Sequence, residues 1–98
     1  MCGATAGGPS TAGLDLTDAS VVQGIVVRDG SPVSGAYVRL LDGSGQFTAE
    51  VPTSATGQFR FFAAPGTWTL SVMHRDGKGR QEITADGPGL FEASVALA

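Results

Sequence analysis

The stretch from residue 56 to 72, TGQFRFFAAPGTWTLSV, constrains the fold of this chain more than any other. It contains two runs in which apolar side chains recur at every second position, separated by small residues and a proline–glycine pair. The recurring positions are Phe59, Phe61, Trp68, Leu70 and Val72. A two-residue period is that of a strand with one buried face, and proline followed by glycine favours a tight turn. The stretch therefore predicts two strands joined by a corner, with Phe59, Phe61 and Trp68 buried in one core.

The composition supports strands throughout the chain. Its 98 residues suffice for one domain, and they include 15 glycines and five prolines, the poorest helix formers. The formal net charge of −3 leaves no basic surface to neutralise a phosphate backbone. We therefore expect an all-β protein that does not bind nucleic acid.

Turn clusters rich in glycine, proline and aspartate separate seven strand patterns at intervals of about 8 to 12 residues. This spacing predicts a seven-stranded antiparallel β-sandwich over residues 21–98, preceded by a flexible Gly/Ser/Thr-rich arm over residues 1–20. Gly24 predicts a close approach by another backbone or a large ring, and Pro52 predicts an edge or bulged strand. Residues 74–80, HRDGKGR, are predicted to form a polar hairpin turn.

The expected location follows from three features of the sequence. No apolar run has the length of a membrane span, and the N-terminus lacks the charged and apolar regions of a signal peptide. The single cysteine, Cys2, cannot form an internal disulfide, which agrees with a reducing compartment. We therefore expect a cytoplasmic protein without a membrane partner.

A cluster of potential hydrogen-bond donors lies at the predicted hairpin turn. Its members are His74, Arg75, Lys78 and Arg80. Together they could bind a small anion such as thiosulfate or sulfate through charge-assisted hydrogen bonds. The alternative is a solvated turn whose charge Asp76 partly cancels. One histidine and one cysteine are too few ligands for structural zinc, so neither a metal nor another cofactor is expected.

Three apolar residues have the parity opposite to the expected core positions of their strands. They are Tyr37, Leu41 and Phe62. Clustered apolar side chains on an outer face indicate an interface, so a partner chain or a second copy is expected to cover them. The alternative is that the N-terminal arm or the curvature of the sandwich covers them.

Two segments resemble the carboxypeptidase regulatory-like, transthyretin-like sandwich. They are GIVVRDGSPVSGAYVRLLD and TSATGQFRFFAAPGTWTLSV. The resemblance implies a fold more than a function, because such sandwiches serve as linkers, carriers and adhesive modules. The fold also includes a hydroxyisourate hydrolase with several functional histidines and a Tyr-Arg-Gly-Ser tail. This chain has one histidine and ends in VALA, so that activity is not expected.

Further segments resemble a small actinobacterial family of uncharacterised proteins whose genes commonly lie beside a thiosulfate sulfurtransferase. These segments are MCGA, GAYVRLLD, FTAEV and TSATGQFRFFAAPG. The resemblance implies a pathway and supplies no catalytic residue. The expected function is a non-catalytic interaction or accessory protein in cytoplasmic sulfur metabolism, with a sulfurtransferase or a second copy as partner. The alternatives are a sulfur relay through Cys2 and a purely structural, oligomerising sandwich.

Cys2 is the candidate sulfur acceptor of the relay hypothesis. Removal of Met1 would leave a cysteine with both a thiol and a free α-amine. A thiolate on a flexible arm could enter a sulfurtransferase active site and accept a sulfane sulfur as a persulfide. The alternative is an incidental terminal thiol that the cytosol keeps reduced.

Overall fold

The computed structural model describes residues 20–75 and 77–98. The predicted arm, residues 1–20, lies outside the described residues except for Ser20, which begins the first strand. The described part contains eight strands and no helix, so the all-β class is confirmed and no helix there could span a membrane. The strands are β1 (Ser20–Arg28), β2 (Ser31–Pro32), β3 (Tyr37–Leu41), β4 (Phe47–Pro52), β5 (Gln58–Ala63), β6 (Gly66–His74), β7 (Gly77–Ala85) and β8 (Gly89–Ala96).

The strands form two sheets that pack against each other through one core. In sheet A, β1 lies between β8 and β5. The N–H of Val26 donates to Gly57 O at 2.8 Å, and its carbonyl accepts from Val33 N at 2.9 Å. The N–H and C=O groups of Val26 point to the same side of β1. β5 and β2 therefore lie along that side of β1, one after the other. Sheet B has the order β4-β3-β6-β7 and is antiparallel throughout.

The predicted number of strands was seven, and the described residues form eight. The additional strand is β2, which pairs with the end of β1 so that Arg28 lies opposite Ser31. Asp29 and Gly30 between them have φ values of 52° and 82°. This is the conformation of a two-residue type I′ hairpin, which aspartate followed by glycine favours. The chain therefore reverses at once and gains a short ladder where the sequence predicted only a turn.

The predicted antiparallel arrangement is wrong for one strand pair, since β8 runs parallel to β1 from Ser20↔Gly89 to Val27↔Ala96. β7 ends in sheet B, and residues 86–88 carry the chain across to sheet A. There the Ser20 hydroxyl donates to Gly87 O at 2.6 Å. This crossing brings the start of β8 beside the start of β1, so the two strands run in the same direction.

The predicted hairpin turn over residues 74–80 is much shorter in the structure. β6 continues to His74, β7 begins at Gly77, and these two residues are paired. Gly79, which was predicted to lie in the turn, is part of β7. A Cβ at Gly79 would lie 2.6 Å from Ala96 O, so glycine there allows the end of β8 to approach β7 closely.

The core consists of the inward side chains of both sheets. Its buried members are Val22, Val26, Ala36, Val38, Leu40, Phe59, Phe61, Leu70, Val72, Ala85, Val95 and Leu97. The predicted burial of Phe59 and Phe61 is confirmed, and their ring centroids lie 6.1 Å apart. The predicted burial of Trp68 is incomplete. Trp68 is half-buried at the border of the core, where its indole N–H donates to Ala64 O at 2.9 Å.

Two predictions about special backbone positions are confirmed. A Cβ at Gly24 would collide with the backbone oxygen of Ala93 and lie 3.1 Å from the Phe59 ring, so another backbone and a ring both approach closely. Pro52 ends β4, which is an edge strand of sheet B. A proline is tolerated there because an edge strand leaves some amides without a ladder partner.

Candidate interaction surface

The outer face of sheet B is the surface formed by the side chains of that sheet that point away from sheet A. Its centre is β3, where Val38 and Leu40 are buried and the residues of opposite parity point outward. The strand register arranges the outward residues in three rows from β4 through β3 and β6 to β7. The rows are Pro52–Tyr37–Met73–Lys78, Glu50–Arg39–Ser71–Arg80 and Phe47–Leu41–Thr69–Glu82.

Large apolar side chains are concentrated on this face. Tyr37 is 55% exposed, Phe47 60% and Met73 54%. Tyr37 and Met73 are direct cross-strand partners, and Phe47 lies opposite Leu41. Isolated exposed apolar residues are ordinary in soluble proteins, whereas several on one sheet face indicate an interaction site.

A charged pair crosses the middle of the outer face of sheet B. Arg39 Nε lies 2.8 Å from Glu50 Oε2, and the Arg39 guanidinium carbon lies 5.7 Å from the centre of the Phe47 ring. An exposed ion pair contributes at most about 1 kcal/mol, and so does an exposed cation–π contact. Their main effect is therefore to hold the Arg39 side chain near Glu50 and Phe47 on this face.

The structure divides the three residues of the predicted interface between two faces. Tyr37 and Leu41 point outward from sheet B, whereas Phe62 points outward from sheet A on the other side of the sandwich. Phe62 is 66% exposed and lies opposite Val21, which is fully buried. Two of the three residues thus lie on the same face, and Phe62 lies on the other.

Sequence reasoning missed Phe47 and Met73 as members of the surface. Phe47 has the same parity as Ala49 and Val51, which pack against the core, so simple alternation directs it inward. A register shift between Leu40 and Leu41 turns Phe47 to the outer face instead. Met73 could have been found, because it continues the outward parity of Thr69 and Ser71 for one more residue of β6.

The predicted anion cluster is only partly assembled. Lys78 and Arg80 both point outward from sheet B and line a groove of about 570 Å³ with Ser71 and Met73. His74 has the inward parity of β6, and Arg75 lies in the turn that follows. A second concavity of about 360 Å³ at this end of the sheet is lined by His74, Arg75 and Lys78, among others. Anion binding stays a prediction.

The remaining candidate from the sequence is the thiol of Cys2. Cys2 lies outside the described residues, so the sulfur-acceptor hypothesis stays a prediction. Within residues 20–75 and 77–98, no three His, Cys, Asp or Glu side chains are grouped so that they could hold a metal ion.

The outer face of sheet A carries a different arrangement. Arg60 Nε donates to Gln23 Oε1 at 2.8 Å, and Gln23 Nε2 donates to Glu92 Oε2 at 3.1 Å. These contacts join β5, β1 and β8, and Gln23 is completely buried. A buried amide with both its oxygen and its nitrogen hydrogen-bonded stabilises its surroundings. These hydrogen bonds give Arg60, Gln23 and Glu92 a structural role in sheet A.

The sequence matches the family described as "Protein of unknown function (DUF1416)" over residues 2–97. It is 52% identical over 88 residues to an uncharacterized protein of Mycolicibacterium smegmatis, covering 89% of this chain and 98% of the relative. It is 51% identical over 87 residues to each of the uncharacterized proteins Rv0814c and Rv3118 of Mycobacterium tuberculosis, covering 88% of this chain and 87% of each relative. The chain therefore belongs to the DUF1416 family.

Proposed function

We propose that this protein is a non-catalytic interaction protein that binds another protein chain through the outer face of sheet B. One observation carries the proposal. Among the described residues, three of the four exposed large apolar side chains lie on that face, namely Tyr37, Phe47 and Met73. Tyr37 and Met73 are adjacent in one row, and Phe47 lies two rows away on the same face. Water contact with these apolar side chains is unfavourable, and a bound chain would remove it.

The residue types on the face support binding of a protein in particular. Aromatic residues, methionine and arginine are enriched in the centres of protein interfaces, and tyrosine and arginine frequently carry much of the binding energy. Arg39 is already held by Glu50, so it loses little further side-chain freedom when a partner binds. This one side chain is therefore partly ordered before a partner arrives.

The biological setting of the proposal is cytoplasmic sulfur metabolism, with a thiosulfate sulfurtransferase as a candidate partner. Its support is the resemblance of the MCGA, GAYVRLLD, FTAEV and TSATGQFRFFAAPG segments to proteins encoded beside such enzymes. We also propose the carboxypeptidase regulatory-like, transthyretin-like variant of the β-sandwich. The support for it is the same kind of segment resemblance together with the arrangement of two packed sheets.

An affinity capture experiment tests the proposed surface. The immobilised full chain is exposed to native extract and to the purified sulfurtransferase, and captured proteins are identified by mass spectrometry. We expect Tyr37→Ser to lose the specifically captured chain, because it removes the exposed aromatic side chain that pairs with Met73 on the face. Phe62→Ser is the matched control, since Phe62 is similarly exposed on the other side of the sandwich. Equal capture by wild type and Tyr37→Ser would contradict the proposal.

A further inference from the structure

We propose that the outer face of sheet B binds a second copy of the same chain, packed face to face about a two-fold axis that runs along the strands. This inference rests on the proposed function, because it names the occupant of the same surface. The axis passes between β3 and β6, the two central strands of sheet B.

The strand register shows which residues such an axis would bring together. Rotation about a two-fold axis parallel to the strands leaves the position of each residue along the strand direction unchanged. It places β3 of one copy over β6 of the other, and β4 over β7. Tyr37 of one copy would therefore face Met73 of the other, because the two residues share a row. Each contact occurs twice in a symmetric dimer. A methionine sulfur against an aromatic ring is a favourable contact, so the row that contains Tyr37 and Met73 matches its copy. Phe47 would lie opposite Glu82 of the other copy, at the edge of the interface.

The charges of the middle row select this axis over the alternative one. Glu50 lies on β4 and Arg80 on β7, at the same height on either side of the central pair of strands. The axis along the strands would place Glu50 of each copy opposite Arg80 of the other. An axis perpendicular to the strands and through the middle row would instead place Glu50, Arg39 and Arg80 each opposite the same residue of the other copy, and like charges facing each other are destabilising. That axis would also pair Lys78 with Glu82 of the other copy, but its three like-charge contacts outweigh these two opposite-charge contacts. Opposite charges at both contacts favour the axis along the strands.

The remaining geometry is compatible with ordinary packing of sheets. When two sheets pack face to face, their strand directions usually differ by about 30°. A two-fold axis tilted by about 15° from the strands of each copy gives this angle. Strands are spaced about 4.8 Å apart, so the face is about 19 Å wide across its strands. The three rows span the five residues of β3, or about 17 Å, so they cover roughly 320 Å² of each copy, which is the size of a weak, transient interface. We therefore expect a dimer that dissociates on dilution.

Charge reversal in two separate variants tests both the partner and the axis. In Arg80→Glu and in Glu50→Arg, each variant alone would place like charges at both symmetric contacts, and the dimer dissociation constant should rise about tenfold or more. An equal mixture of the two variants should recover dimerisation, because the mixed dimer has opposite charges at both contacts. Sedimentation equilibrium over a concentration series measures all three constants.

Three control variants separate these effects from general ones. Arg28→Glu changes the net charge by the same amount as Arg80→Glu but lies at an exposed end of sheet A, so it should dimerise like wild type. Glu50→Gln removes the ion pair with Arg39 without introducing a like charge, so it should weaken the dimer less than Glu50→Arg. Tyr37→Ser should weaken it through lost apolar contact, and thermal unfolding checks that every variant is folded.

Three other outcomes would each contradict one part of the inference. A wild-type chain that stays monomeric at all concentrations would exclude the second copy, yet Tyr37-dependent capture of a different protein would leave the proposed function intact. A wild-type dimer that Arg80→Glu and Tyr37→Ser leave unchanged would show that another surface self-associates. Weakening by both charge variants without recovery in the mixture would show that the axis is wrong.

Discussion

At the scale of single residues, Thr53 connects the end of β4 to the chain that leads into β3. Its hydroxyl donates to Val33 O at 2.8 Å and accepts from Ala36 N at 3.0 Å, and its own N–H donates to Ala36 O at 2.8 Å. Thr53 and Ala36 are both buried. This polar contact therefore fixes where β3 begins, and with it the position of Tyr37.

Replacing Thr53 by valine tests this connection, because valine has nearly the same shape without the hydroxyl. The buried N–H of Ala36 would lose its partner, and we expect the free energy of unfolding to fall by about 1 to 3 kcal/mol. Denaturant unfolding gives the value. Thr53→Ser keeps the hydroxyl and should recover most of the loss. Equal stability of wild type and Thr53→Val would show that the hydroxyl is unimportant.

The stability of the hairpin between β3 and β4 depends on pH through the carboxyl group of Asp42. The hydroxyl of Ser44 donates to Asp42 Oδ1 at 2.7 Å, and the backbone N–H of Gln46 donates to the same oxygen at 3.0 Å. The Ser44 hydroxyl first, and then the Gln46 amide, hold the pKa of Asp42 below its ordinary value. Such bonds favour the ionised carboxylate in the folded state.

The pH dependence of stability follows from this lowered pKa. The unfolded carboxyl group takes up a proton at higher pH than the folded one, so its stabilising contribution is complete above the unfolded pKa. The contribution is lost as the pH falls through the folded pKa. Asp42→Asn cannot titrate, so the difference in unfolding free energy between wild type and this variant should shrink under acid. A difference that stays constant with pH would contradict the assigned role.

Residue parity was the most reliable sequence signal, and its failures have local causes. Alternation correctly placed Phe59 and Phe61 inward and Tyr37 outward. It failed at Phe47, because a bulge adds one residue to a strand and reverses the facing of all residues beyond it. Trp68 has the correct parity but lies at the border of the core, a position that periodicity does not encode.

At the scale of strands, the parallel pairing of β1 with β8 depends on glycine at position 24. The backbone of Ala93 occupies the space that a side chain would need, and the Phe59 ring closes it from the core side. The position of most strands follows from alternation and turn residues. The direction of β8 does not, because it depends on how residues 86–88 cross between the sheets, and no local pattern specifies such a crossing.

Gly24→Ala should therefore be strongly destabilising. The added methyl group would meet backbone on one side, which cannot move without separating β1 from β8. We expect a loss of about 3 kcal/mol or more in the free energy of unfolding, at the upper end of overpacking effects. Gly87→Ala is the control, since its Cβ would have no neighbour within 4 Å. Similar stabilities of the two variants would argue against the close pairing.

At the scale of the whole molecule, both sheets bury their inner faces in one core and differ in their outer faces. The outer face of sheet A is itself partly buried, since Val21 and Gln23 there are fully buried. Sheet A joins its outer polar residues through Gln23, whereas sheet B presents Tyr37, Phe47 and Met73. The sequence analysis predicted outer apolar residues but placed all of them on one face. Alternation within a strand does not show which strands belong to the same sheet, because that depends on pairing between distant segments. The register of sheet B, and not the linear sequence, assembles the candidate surface.

The most direct test of that surface is the rate at which peroxide oxidises Met73, followed by peptide mass spectrometry. Met73 is 54% exposed, so it should react readily in dilute protein. Association through the outer face of sheet B would cover the sulfur, so its oxidation should slow as the complex forms and stay fast in Tyr37→Ser. Complex formation that leaves the oxidation rate of Met73 unchanged would contradict the account.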